Sequence, residues 1–264
     1  MINDKYEIIN KINNGNFGNV YLCKYNNKHY AIKEEYNLTT LKNEANIYKD
    51  LCKIKNISKI HDFFLYNNKY YLVLDYFNIT FINYKKKYYD LINDNYIFNI
   101  LNFIKIIFNT LKDIHKFGYV HRDLKPNNIC LDINNNPYII DFGLSKKIIQ
   151  NNKYIKEKKI HSIIGSLNFC SINVINLIEP SKRDDIESIL LILFYMLIND
   201  ENYIIYNNLN LNDKKNLELI LNFIKNTNIN SNLFHNIKII FKYTRKMSFM
   251  QEPNYQYIIN LLIY

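Results

Sequence analysis

One stretch limits this chain more than any other: Tyr119-Val-His-Arg-Asp-Leu-Lys-Pro-Asn-Asn-Ile129, followed by Ile140-Asp-Phe-Gly143. It sets a carboxylate (Asp123), a cation two residues on (Lys125) and an amide five residues on (Asn128) into one short loop. A second carboxylate, Asp141, follows a segment of β-hairpin character. A lone Asp or Asn in a loop is ordinarily turn chemistry. This spacing asks for more, because moving a phosphoryl group requires a positioned base, a counter-charge for phosphate and hard oxygen ligands for a metal. All of them stand here in order. Any fold for this chain has to bring the loop and Asp141 together.

With 264 residues and 48% hydrophobic content the chain can bury a sizeable core, as one domain or as two lobes. Its five Gly and four Pro are few for that length, so each is expected at a required backbone position. Ile, Asn, Lys and Tyr are used heavily, Trp is absent, and arginine occurs only at Arg122, Arg183 and Arg245. That bias reads as AT-rich coding. A net charge of +10 raises nucleic acid or an acidic partner. The lysines are scattered, however, and no base-stacking signature accompanies them, so no specific nucleic acid is expected. Cys23, Cys52, Cys130 and Cys170 lack zinc-site spacing, which fits a reduced intracellular setting. The N-terminal Met-Ile-Asn-Asp-Lys has no secretory pattern. The longest apolar run, Ile186 to Ile198, holds Glu187 and is too short to span a bilayer, so it reads as a buried helix and no membrane partner is expected.

Along the chain, Tyr6–Ile12, Val20–Tyr25 and Lys28–Lys33 are short β-type runs, with Asn26-Asn27 as a hairpin turn. Leu41–Lys53 switches to helical periodicity, placing Leu41, Ala45 and Tyr48 on one face. Phe63–Tyr66 and Tyr70–Leu74 return to β. Beyond Asp75–Asn78 the character changes: Ile97–Phe117 is a long amphipathic helix, and helical patterns dominate from Pro180 onward. The expected class is α+β and bilobal, a small β-rich lobe (1–74), a link (75–78) and a larger helical lobe (79–264).

Two further constellations join the first. Ile12-Asn-Asn-Gly15-Asn-Phe-Gly18-Asn-Val20 lies between two strands, where glycines let backbone close over phosphates. Such a turn by itself is more often a plain hairpin. Asn13 stands where a first glycine is usual, and Asn tolerates unusual φ. Tyr30-Ala-Ile-Lys33 ends a strand with a lysine that would ordinarily be a solubility charge. Glu44, on the Leu41/Ala45/Tyr48 side of the next helix, can reach back and hold that ammonium against phosphates, while Glu34 and Glu35 are expected to be solvated. His121 is expected to pack and hold the loop, and Arg122 has a further role open to it as receiver of a phosphate on the segment after Gly143.

On these residues the chain resembles eukaryotic-type protein kinases, and among them the casein kinase I family, over nearly its whole length. Leu41-Lys-Asn-Glu-Ala-Asn-Ile-Tyr48 resembles that family's regulatory helix, and Gly165-Ser-Leu-Asn-Phe-Cys-Ser-Ile-Asn173 the end of its activation segment. Ser181-Lys-Arg-Asp-Asp-Ile-Glu-Ser188 resembles the start of its central helix, with Asp185 anchoring the catalytic loop, and Glu252-Pro-Asn-Tyr-Gln-Tyr257 its closing helix. The resemblance implies an ATP-dependent Ser/Thr protein kinase that is active without activation-loop phosphorylation. Asp123 would accept the substrate hydroxyl proton, Lys125 would offset phosphoryl charge, and Lys33 with Glu44 would hold the phosphates. Asn128 and Asp141 would bind Mg²⁺, with Mn²⁺ as an alternative. Ile12, Asn13, Gly15, Gly18, Val20, Ala31, Leu74 as gatekeeper, Asp75, Phe77 and Leu131 would surround ATP. Protein substrates of acidic character, a monomeric state and a cytoplasmic or nuclear location are expected, or host cytoplasm or virion for a viral chain.

Two departures stand out. Asn168 occupies the place of an arginine with which the family helps to bind a phosphate already on its substrate, and Asn199–Asn208 replaces a Leu-Pro-Trp segment. Lys146, Lys147, Lys153, Lys156, Lys158 and Lys159 make the segment after Gly143 basic and offer a substitute. The rival reading is a pseudokinase, a scaffold retaining the fold without turnover, and a small-molecule phosphotransferase is a third.

Overall fold

A computed structural model describes residues 1–15, 18–88, 93–151, 153–227 and 229–263. Asn16 and Phe17 of the Gly-containing turn lie outside the described residues, as do the side chains of Asn13, Asn14 and Gly15. The first part is a five-stranded antiparallel sheet made from β1 (Glu7–Gly15), β2 (Gly18–Tyr25), β3 (Lys28–Glu35), β4 (Ile60–Tyr66) and β5 (Lys69–Asp75), in the order β1-β2-β3-β5-β4. Its hairpins turn at Asn26-Asn27 and Asn67-Asn68, all four with positive φ. Two-residue hairpins favour that twist, and asparagine is the non-glycine residue that accepts it most readily.

Side chains alternate across the sheet. Cys23, Ile32, Tyr71 and Val73 are buried on one face beneath Ile2 and Tyr6. On the other face Leu72 and Leu74 join the main core with helix α1 (Leu38–Asp50). That helix begins three residues before the periodicity suggests and ends three residues earlier, at Asp50. The cause is capping: the Asn37 side chain accepts the Thr39 N–H at 2.9 Å and starts the first turn.

After β5, residues 76–78 belong to no regular element. The rest is mainly helical: α2 (Phe81–Tyr88), α3 (Asp94–Lys116), α4 (Ile172–Ile175), α5 (Lys182–Leu197), α6 (Asp200–Asn208), α7 (Leu211–Lys214), α8 (Leu217–Lys225), α9 (Ser231–Lys246) and α10 (Tyr255–Leu261). Every residue of α5 is buried; from Ile189 to Leu197 it is apolar on all sides, as expected of a buried helix. Its few charges are paired: Lys182 with Glu252 at 2.5 Å, Arg183 with Glu157 at 2.7 Å and Glu187 with Arg245 at 2.7 Å. A two-residue strand, β6 (Ile79–Thr80), precedes α2, and between α3 and α4 run the short strands β7 (Tyr119–Val120), β8 (Ile129–Leu131), β9 (Pro137–Ile139) and β10 (Lys146–Lys147). β8 and β9 form the hairpin expected before Asp141, and β6 adds to its edge. β7 pairs with β10. Among the described residues no helix is long and apolar enough to cross a membrane.

Candidate active site

The loop from His121 to Asn128 is held by its backbone. Asp185, buried on α5, accepts the His121 N–H at 2.7 Å and the Arg122 N–H at 2.9 Å, and its Oδ2 also lies 2.9 Å from His115 Nε2. Burial, the largest influence on Asp185, opposes its charge, but these hydrogen bonds and the neighbouring histidines outweigh it and keep the carboxyl below the ordinary aspartate range. Arg122 has φ +69°, a left-handed conformation that a branchless backbone would adopt more cheaply. The Asp185 hydrogen bond holds it there. His121 is scaffold in this geometry: its Nε2 lies 3.1 Å from the Ile140 carbonyl and its Nδ1 accepts the Asp123 N–H at 3.3 Å. The Arg122 side chain is engaged too, donating to the Leu144 carbonyl at 2.6 Å and lying 3.5 Å from Glu179.

Asp123 is buried, with both oxygens dressed. Lys125 Nζ donates to Oδ2 at 2.7 Å and Asn128 Nδ2 at 3.2 Å, while Ser166 Oγ donates to Oδ1 at 2.8 Å. Asn128 Nδ2 donates also to the Asp123 carbonyl at 2.9 Å. With the amide hydrogens directed at Asp123, the oxygen end of Asn128 is left to face another partner. Ser166 is a functional contact that the sequence pattern does not disclose, since 43 positions separate it from Asp123. What brings it there is Gly165 at φ +85°, so close to the loop that a Cβ would stand 2.3 Å from the Arg122 carbonyl oxygen.

The second half of the site comes from the sheet. Register places Lys33 opposite Val20 on one side and Leu72 on the other. Its Nζ lies 2.7 Å from Glu44 Oε2, 3.3 Å from Asp141 Oδ1 and 3.5 Å from Glu35 Oε1. Burial works against the Lys33 charge, yet Glu44 and then Asp141 outweigh it and hold the ammonium protonated well above the ordinary lysine range. Burial likewise opposes the Asp141 charge, but Lys33, His121 and Lys125 keep that carboxyl below the ordinary range. Asp141 has φ +65°, and its N–H donates to the Tyr48 hydroxyl at 3.0 Å. Tyr48 also meets Phe142 edge to face, with centroids 5.0 Å apart. The expected solvated state of Glu34 and Glu35 is corrected here. Both are buried: Glu34 accepts from Asn19, Tyr71 and Lys69, and Glu35 from Thr40 at 2.6 Å.

Around this centre, Val20 and Ala31 are half-buried on β2 and β3 and Ala31 pairs with Leu74, while Leu131 is buried on β8 opposite Ile79. Ile12 is exposed on β1, and Asn13 and Gly15 pair through backbone with Val20 and Gly18. Gly18 runs so close to β3 that a Cβ would stand 1.9 Å from the Glu34 carbonyl oxygen. The Asp75 carboxylate is taken by the Lys59 N–H at 2.8 Å and by His61, and Phe77 packs its ring on Tyr138 at 4.6 Å.

Residues 6–260 match the family model described as the protein kinase domain. The chain belongs to the protein kinase family. Its β-sheet lobe and helical lobe are those of the kinase domain. A probable casein kinase I homolog of Encephalitozoon cuniculi (strain GB-M1) is 32% identical over 205 residues, covering 73% of this chain and 61% of that protein. The chain therefore spans about three-fifths of the length of that curated relative. In this kinase domain Asn168 is approached by two lysines. Lys214 Nζ lies 3.4 Å from its side-chain oxygen and Lys215 Nζ 3.3 Å from its carbonyl, and burial pushes the Lys215 ammonium down to about 8. Of the basic residues after Gly143, Lys146 is bound to Glu179 at 2.8 Å and Lys159 to the Asn176 carbonyl, whereas Lys153, Lys156 and Lys158 are exposed.

Proposed function

We propose that this kinase domain transfers the γ-phosphoryl group of ATP to serine or threonine hydroxyls of protein substrates, in the manner of casein kinase I. The observation that carries the reading is the pairing at Asp123: a carboxylate fixed by Ser166 and Asn128 with the Lys125 ammonium on the same oxygen. A hydroxyl arriving at Asp123 delivers its proton to the carboxylate as it attacks, and Lys125 stands beside the phosphoryl group to offset its charge. Lys33, held by Glu44, binds the phosphates from the opposite side. Asn128, through its free oxygen end, and Asp141, through a charged and half-exposed carboxylate, are the residues that would hold Mg²⁺. The bound ion would neutralise phosphate charge. Residues 75–78 would be the link against which the adenine rests, between Val20 and Ala31 on one side and Leu131 on the other.

The exposed Lys153, Lys156 and Lys158 after Gly143 support acidic protein substrates, whereas Lys214 and Lys215 beside Asn168 are buried. Asn13 remains the one feature that suits the non-catalytic alternative, against the complete set of Lys33, Glu44, Asp123, Lys125, Asn128 and Asp141. The test is incubation of the purified protein with labelled ATP, Mg²⁺ and casein, beside Asp123→Asn and Lys33→Met variants. Label on serine or threonine with the parent alone supports the reading. Tight ATP binding without transfer by the parent would move it to the scaffold.

A further inference from the structure

The C-terminal end of α1 carries a carboxylate where a helix least favours one. Asp50 is the last residue of that helix, beside its unsatisfied carbonyls and the negative end of its dipole. An aspartate there costs stability unless something offsets it. Two groups do, and both come from the other lobe. The Tyr119 hydroxyl donates to Asp50 Oδ2 at 2.6 Å, and Lys147 Nζ lies 3.9 Å from the same oxygen and 5.1 Å from the centre of the Tyr119 ring. Tyr119 and Lys147 face each other in the β7–β10 ladder. β7 runs directly into the His121–Asn128 loop, and β10 begins two residues beyond Asp141–Gly143, after Leu144 and Ser145. The contact thus lies where the helix bearing Glu44, the strand feeding Asp123 and the strand leaving Asp141 meet.

The two ties are unequal. Asp50 and Lys147 are each about half exposed, and a pair at that distance in solvent contributes little. Tyr119 is 7% exposed, so its hydroxyl bond to a carboxylate is the tie that counts. Together with Tyr48, which accepts the Asp141 N–H at 3.0 Å, it gives α1 two hydrogen-bonded seats on the helical lobe, neither of which uses a phosphate on the segment after Gly143. By the rise of an α-helix, Asp50 lies only ~9 Å along the axis from Glu44, so a shift at the seat is carried to the Lys33 pair.

Resting on the kinase reading, we infer that Tyr119 is a positioning residue for phosphoryl transfer: its hydroxyl, bonded to Asp50, seats α1 on the β7–β10 ladder and so sets the Lys33–Glu44 pair. Neither Tyr119 nor Asp50 touches the reacting groups. Tyr119→Phe removes only the hydroxyl, Asp50→Ala removes the acceptor, and Asp50→Asn keeps an acceptor while removing the charge.

The experiment measures four quantities on the full chain and these variants: amide hydrogen exchange across α1, the KM for ATP with Mg²⁺ beside that for casein, ATP affinity by calorimetry, and Tm. Tyr119→Phe and Asp50→Ala are expected to speed exchange across α1 and raise the KM for ATP about 3- to 10-fold, the size of one hydrogen bond, while leaving the KM for casein unchanged. Asp50→Asn is expected to stay within about 2-fold of the parent, because the hydroxyl keeps its acceptor. Unchanged α1 exchange and ATP binding in Tyr119→Phe overturns the inference. So does a lower Tm with all kinetic constants intact, since that describes a merely structural bond. A parent that transfers no label sinks the kinase reading instead. In that case weaker ATP binding and faster α1 exchange in Tyr119→Phe still support the seat.

Discussion

The two halves of the site are held in different ways. The Asp123 half is fixed through backbone: a buried carboxylate on α5 grips two consecutive N–H groups, and Ser166 and Asn128 complete the shell. The Lys33 half is fixed through ion pairs, the shortest of which joins two separate elements, β3 and α1. One half is built like a core and the other like an interface. On the proposed function, a rigid half to hold the acceptor hydroxyl would coexist with an adjustable half to hold phosphates, and damage to each should leave a different trace.

The largest expected effect separates them by function. Asp123→Asn should lower the transfer rate by about 10²–10⁴-fold with ATP affinity retained. Lys33→Met should weaken ATP binding itself, and equal losses of affinity in both variants would break the comparison. Next comes stability. Asp185→Ala leaves buried N–H groups and His115 without their partner and should cost about 3–5 kcal/mol in a urea titration. Glu44→Gln, on the interface-like side, should unfold at nearly the parent's midpoint while binding ATP less well.

A smaller effect is expected at glycine. Gly165→Ala meets both a positive φ and the Arg122 carbonyl and should destabilise by about 1–3 kcal/mol with a loss of rate. Gly143→Ala puts a Cβ 3.2 Å from Lys33 Nζ and should act chiefly on ATP affinity. The smallest is a pH effect. Burial depresses the His115 imidazole in spite of Asp185 beside it, and Asp185 is itself depressed. As pH falls, the unfolded chain protonates first. The stability these groups contribute is therefore full above about pH 6.5, the ordinary histidine value, and is lost on the way down to the folded-state value, with Asp185 extending the loss below about pH 4. The drop in Tm between pH 7.5 and 5.5 should be steeper in the parent than in His115→Gln, and identical slopes would remove His115 from the account.

Much of the rigid half can be read in the chain because its chemistry is local. Asp123, Lys125 and Asn128 lie within six consecutive residues, so the loop that joins them is visible as a string. Strand character, the β8–β9 hairpin and the apolar run of α5 are equally local, since they follow from alternation, turn residues and hydrophobic run length. The abundant asparagine is harder to read. It caps α1 through Asn37, α3 through Asn93, α8 through Asn216 and α9 through Asn230, and it fills left-handed turns in a chain with few glycines. Composition shows that asparagine is common, but a cap depends on where each helix starts. The mistaken expectation for Glu34 and Glu35 has a similar origin: a charged pair beside Lys33 looks solvated until Tyr71, Asn19 and Thr40 fold over it.

The sequence alone determined the loop, the β-rich first part and helical remainder and the kinase family, because each rests on residues close together in the chain or on a pattern running along it. Only the tertiary structure decided that Ser166 shares Asp123, that Tyr48 holds the Asp141 N–H and that Asp50 closes on Tyr119. Those contacts join residues 43, 93 and 69 positions apart. Their partners are chosen by tertiary packing, within the helical lobe for Ser166 and between the lobes for Tyr48 and Asp50, which no spacing along the chain encodes.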